Sequence, residues 1–129
     1  MLTVARLRPV IEASWSAETA FEADKWSPEN PARGHCVVTS LVVQHLLGGA
    51  LRKLETVFDG QPESHYHNVL PDASELDLTR QQYPAGQEFA PSEVNLHGYA
   101  DVREKMMHEP ETRQRYELLL ARVQQKLRA

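Results

Sequence analysis

The chain has 129 residues, and its 14 basic and 18 acidic side chains leave a net charge of −4. Hydrophobic residues at 41% and charged residues at 25% match an ordinary single soluble domain, residues 1–129, and exclude wholesale disorder. The weak acidity disfavours a nucleic-acid binder built on phosphate contacts, and no apolar run approaches the ~20 residues of a membrane span.

Met1–Val10 carries Arg6, Arg8 and Pro9 and has no apolar signal core, so a cytoplasmic location is expected. Val4, Leu7, Val10 and Ile11 recur at helical spacing and predict an amphipathic helix over Leu2–Ala13. Ser16 and Thr19 suit a further short helical turn. Asp24–Arg33, with Ser27-Pro28 and Asn30-Pro31, reads as loop. The near-continuous apolar run Cys36–Leu47 is long for a strand and closes on Gly48-Gly49, which predicts a buried helix with Cys36 in its first turn. Its β-branched valines make a buried strand the rival.

Ala50–Phe58 predicts a strand that ends at Asp59-Gly60. His65–Leu70 predicts a second, with His65, His67 and Val69 on one face and Tyr66, Asn68 and Leu70 on the other. Pro71–Ser74 is a turn, and Glu75–Thr79 a third strand, so residues 65–79 read as a hairpin. Residues 80–98 read mostly as loop, and Asp101–His108 as a short helix. Pro110–Leu127 is a helix whose stripe Tyr116, Leu119, Leu120, Val123 and Leu127 is buried. The order predicts an α+β fold, a central cysteine-bearing helix on a small antiparallel sheet.

Cys36 is the one cysteine, which excludes an internal disulfide framework and a thiolate-rich zinc site. A thiol becomes a strong nucleophile as thiolate, a state favoured by a helix N-terminus and a neighbouring imidazole. His65 on one strand and Asp77 on the next supply a base and a group to orient it, because cross-strand neighbours lie ~5 Å apart. Backbone N–H groups at the helix start suit a developing oxyanion. Bland roles compete at each position: Cys36 as a small buried hydrophobe, His65 and His67 as hydrogen-bonded strand histidines, and Asp77 as a hairpin terminator. His45, His97 and His108 read as surface residues, Trp15 and Trp26 as core or groove lining, and Arg113–Arg115 as a solvated helix face.

The stretches Trp26–Gln44, His65-Tyr-His-Asn, Glu75–Tyr83 and Glu111–Leu119 resemble, in order, the YunG family of small bacterial proteins. More distantly, the order Cys, His-x-x-Asn, Asp-x-Thr is similar to papain-like and transglutaminase-like thiol enzymes. That resemblance implies a papain/transglutaminase-like core, with Cys36 as nucleophile, His65 as base and Asp77 as orienting acid. Two positions depart from the YunG pattern: His35 stands where a glutamine usually precedes the cysteine, and His67 where an aromatic is usual. His35 is then a candidate oxyanion donor beside the Cys36 N–H.

The expected function is a cysteine hydrolase or acyltransferase acting on an amide, isopeptide or ester carbonyl, with no cofactor implied. One alternative is a non-enzymatic protein-binding domain presenting residues 80–98 and the last helix. Another is a zinc site assembled from Cys36, His35, His65 and His67. Nothing in the pattern selects an oligomeric state.

Overall fold

The computed structural model describes all 129 residues. Its class is α+β. The helices are α1 (Val4–Glu12), α2 (Cys36–Leu47), α3 (Val102–His108) and α4 (Pro110–Arg128). The strands β1 (Ala50–Phe58), β2 (Gln61–Val69), β3 (Glu75–Leu76) and β4 (Ala90–Pro91) form one antiparallel sheet in the order β3-β2-β1-β4.

Helix α1 starts later than Leu2 because the Thr3 side chain accepts a hydrogen bond from the Arg6 N–H, an N-cap that sets the first turn. Leu7 and Ile11 bury its inner stripe. Helix α2 has its predicted bounds, and its six consecutive buried residues, Val38–Val43, explain the lack of amphipathic pattern. It is covered from several sides, packing against β2, β1 and α4. Two polar side chains tie it down. Trp15 Nε1–H donates to Thr39 Oγ1 at 3.0 Å, and Asn68 Nδ2–H donates to the Ser40 carbonyl at 2.9 Å. Leu7, Ile11, Trp15, Leu41, Leu51, Tyr116 and Leu119 belong to one core cluster of 13 buried residues, so α1, α2, β1 and α4 share a single interior.

The sheet differs from expectation in its pairing. Strand β2 begins at Gln61 rather than His65, and the main hairpin is β1–β2, paired from Phe58↔Gln61 to Ala50↔Val69. Asp59 and Gly60 have φ of 51° and 74°, the double left-handed geometry of a two-residue hairpin turn, for which Asp-Gly is a favoured pair. Pro62 fits inside β2 because that end has no strand on its far side. Strand β3 is two residues long, pairing only Asn68↔Leu76 and Val69↔Glu75, so Asp77–Thr79 lie beyond it. Asp77 stops the strand by accepting the Thr79 N–H in a local turn. Residues 80–98 contain a 3₁₀ turn, Arg80–Gln82, and the short β4. The last helix keeps its stripe, with Tyr116, Leu119 and Val123 buried and Leu120 and Leu127 packed at the margin. No helix is long and apolar enough to cross a membrane.

Gly34 precedes α2 at φ +79°, and a Cβ there would stand 2.6 Å from the Phe21 carbonyl oxygen, whose residue's N–H donates to the Gly34 carbonyl at 2.9 Å. The close approach admits glycine alone. Gly34→Ala is expected to destabilise the chain by about 3 kcal/mol, measured by denaturant unfolding, while Gly86→Ala, in open space at similar φ, costs about 1 kcal/mol.

Candidate active site

Helix α2 presents Cys36 at its first turn, half-buried, on the wall of a cavity of about 520 Å³. The chain's turn at Gly34 sets where the helix starts, and with it the place of the sulfur. Behind the thiol lies His65, its side chain fully buried in β2. The Tyr83 ring stands edge-on to the imidazole at 5.2 Å and the Phe89 ring lies tilted at 5.3 Å, so aromatic surface, not water, surrounds it.

His65 Nε2 lies 2.6 Å from Asp77 Oδ2. The other Asp77 oxygen accepts from the Thr79 backbone and hydroxyl, which fixes the carboxylate plane. Asp77 can only accept when ionised, so the neutral imidazole carries its proton on Nε2 and turns a lone pair out at Nδ1. That nitrogen is buried and otherwise without a partner. Burial alone pulls the ring's pKa down, but the hydrogen bond to Asp77 and the influence of the nearby Cys36 sulfur outweigh it and carry the pKa up to about 9.

The second strand histidine repeats this arrangement. His67 Nε2 lies 2.9 Å from Glu75 Oε1, which also accepts from Arg52 at 3.1 Å. Both histidines reach a carboxylate diagonally across the β2–β3 pair, and the same register offset serves both. His67 therefore pins β3 to β2 beside Asp77 and stands apart from the thiol.

His35 is placed differently from expectation. The residue is fully buried, its Nδ1–H donates to the Arg33 carbonyl at 3.1 Å, and its Nε2 accepts from the Thr19 hydroxyl at 2.7 Å. Trp15 covers it at a ring distance of 5.5 Å. Both ring nitrogens are engaged, so the side chain has no donor left for an oxyanion. Burial lowers its pKa to about 4, only partly countered by backbone hydrogen bonds, and the Arg115 charge adds to the lowering. Cys36, His35, His65 and His67 do not converge, and no three His, Cys, Asp or Glu side chains form a group able to hold a metal ion.

Five side chains at the site are not evident from the sequence: Gln82, Arg33, Glu63, Tyr83 and Arg115. Gln82, in the 3₁₀ turn, lines the cavity with Cys36 and is 4% exposed. Arg33 Nη1–H donates to its Oε1 at 3.2 Å, which fixes the amide and leaves Nε2 a buried donor without a partner. Arg33 is itself clamped by Glu63 through two hydrogen bonds, and Tyr83 O–H donates to the same carboxylate at 2.6 Å. Burial pushes Glu63 up, but these bonds outweigh it and hold the carboxyl below its ordinary range. Arg115 of α4 lines the cavity instead of facing water, while Arg113 is exposed as expected. Trp26 is also on the cavity wall; His45, His97 and His108 are exposed.

An antiparallel sheet packed beside a helix that opens with a cysteine, with His65 of β2 paired to Asp77 just past β3, defines a small α+β protein. The family model described as YunG protein matches residues 3–128, and the chain belongs to the YunG family. It is 28% identical over 104 residues to "Uncharacterized protein YunG" of Bacillus subtilis (strain 168), an alignment covering 74% of this chain and 84% of that protein. No solved structure matches the chain.

Two outcomes follow from the opposed histidines. With its acceptor weakened in Asp77→Asn, His65 is expected to titrate well below 9, nearer the ordinary 6.5, in an NMR pH titration of the imidazole. His35 is held neutral in the folded state to about pH 4, whereas the unfolded chain takes up its proton near 6.5. Its contribution to stability is thus present above pH 6.5 and lost as the pH falls towards 4. The parent chain should lose about 3 kcal/mol more than His35→Gln over that window in denaturant titrations.

Proposed function

We propose that the chain is a cysteine-dependent hydrolase or acyltransferase with a papain/transglutaminase-like core, acting on an amide, isopeptide or ester carbonyl. The observation that carries this reading is the 2.6 Å contact between His65 and Asp77 on a buried imidazole that also feels the Cys36 sulfur. Such a pair suits proton transfer at a thiol because the acid fixes the tautomer and supports the imidazolium.

Cys36 Sγ attacks the carbonyl carbon as thiolate, with its proton held on His65 Nδ1. The new C–S bond moves the carbonyl electron pair onto oxygen. That oxyanion is received by the Cys36 backbone N–H at the start of α2 and by Gln82 Nε2–H. The electron pair returns, the C–N or C–O bond breaks, and the Nδ1 proton goes to the leaving amine or alcohol. Water or an acceptor amine then attacks the thioester, gives its proton to Nδ1, and expels the thiolate. Asp77 stays ionised throughout and holds the ring by Nε2. A free-thiol nucleophile of this kind belongs in the reducing cytoplasm.

The test is alkylation of the native chain by iodoacetamide at pH 6.5. Cys36 is expected to react about tenfold or more faster than in His65→Ala. A rate equal to that of glutathione and unchanged by His65→Ala overturns the proposal and favours a binding domain of the same fold. Gln82→Ala should leave alkylation unchanged yet lower hydrolysis of p-nitrophenyl acetate by about 10- to 100-fold.

A further inference from the structure

The cavity walled by Cys36 contains three cationic side chains, and two of them are already neutralised. Lys25 pairs with Glu22 at 2.9 Å, and Arg33 is clamped by Glu63. Arg115 is the third, and no carboxylate lies within ion-pair distance of it. Its Nε is buried without a hydrogen-bond partner, and its one hydrogen bond is a 3.4 Å contact from Nη2 to Thr112 one turn back on α4. Glu109 and Glu111 also line the cavity, but both are exposed at its rim and neither reaches the guanidinium.

Nη1 makes no hydrogen bond and is not buried, so the guanidinium keeps an open donor and an unbalanced charge on the cavity wall, a place for an anion that arrives with the ligand. Two features keep the group in place while empty. The Phe21 ring stacks on it, with the guanidinium carbon 5.6 Å from the ring centre. Phe21 in turn is held by its backbone hydrogen bond to Gly34, two residues before the cysteine. Phe21 is 62% exposed, so it also offers apolar surface to whatever occupies the cavity. Val37, Trp26 and Met106 extend that surface.

We infer that Arg115 recognises a carboxylate on the substrate, so that Cys36 acts on a small, partly apolar carbonyl compound bearing a free carboxylate. A cavity of about 520 Å³ suits a small molecule, such as an acylated amino acid, or the end of a longer chain. Arginine rather than lysine serves here because its planar fork binds a carboxylate in two-point fashion and stacks on an aromatic ring. This inference rests on the thiol chemistry proposed above for its reaction, but not for its recognition step.

The experiment therefore reads recognition through alkylation alone. N-carboxyalkyl maleimides with one to three methylenes are each compared with their primary amides as modifiers of Cys36, with glutathione as the reference thiol. For at least one linker length, the carboxylate form should be preferred about fivefold or more over its amide, relative to glutathione. Arg115→Gln should abolish the preference whatever its effect on the amide rate, with an unchanged denaturant-unfolding midpoint showing that the variant is folded. Arg115→Lys should restore part of it, and Arg115→Glu should reverse it. A preference that is absent in the parent chain, or identical in Arg115→Gln, overturns the inference. The ratio is read whatever the absolute rate. A sluggish Cys36 thus removes the thiol-enzyme proposal, while the ratio still decides the role of Arg115.

Discussion

The hydrogen bond between His65 and Asp77 organises more of this molecule than its 2.6 Å suggests. A fully buried imidazole has given up its hydration, which by itself costs several kcal/mol unless the ring finds partners. Asp77 supplies one, across the same diagonal by which Glu75 reaches His67. The local turn through Thr79 engages the other carboxylate oxygen and fixes the plane of the group. One nitrogen is then committed to the acid, and the other is buried without a hydrogen-bond partner.

The two fully buried histidines show how environment decides what an imidazole does. His35 and His65 are both at 0% exposure, yet one is lowered to about 4 and the other raised to about 9. Around His35 the partners are a neutral hydroxyl, a carbonyl and the Trp15 ring, and Arg115 adds a like charge. Backbone hydrogen bonds favour the cation there only in part, so burial dominates. Around His65 a carboxylate and a thiol both reward protonation. His35 is therefore a neutral strut at the foot of α2. It links Thr19 of the N-terminal segment to the Arg33 carbonyl and holds the helix start in register.

Much of this arrangement was legible in the sequence because it is local. The bounds of α2 and β1 follow from apolar run length and from glycine and Asp-Gly punctuation. The pairing of His65 with Asp77 follows from strand alternation in the hairpin expected over residues 65–79, which is present as the β2–β3 pair but shorter, with β3 ending at Leu76 and the contact to Asp77 diagonal; the second hairpin, β1–β2 through Asp59-Gly60, was not expected. His35 misled because its neighbour, not its surroundings, suggested a role; the partners Thr19 and Trp15 lie 16 and 20 residues away, and no local pattern brings them in. Gln82 and Arg115 were invisible for the same reason. A glutamine in a polar stretch and an arginine on an amphipathic helix look solvated until the fold turns them inward.

Gln82 also shows how the supporting layer bears on chemistry. Its carboxamide can be turned two ways, which exchange the oxygen and the N–H group. Arg33 decides which, because a guanidinium has no acceptor and must meet the oxygen. Arg33 in turn is not free to wander: Glu63 holds it in a two-point clamp, and its guanidinium carbon lies 4.5 Å from the centre of the Phe58 ring. Tyr83 closes the set, donating to Glu63 while its ring shields His65. The orientation of an amide beside Cys36 and the dryness of the imidazole behind it thus depend on the same residues. The segment 80–89, which resembles a plain connecting loop, is where the two requirements meet.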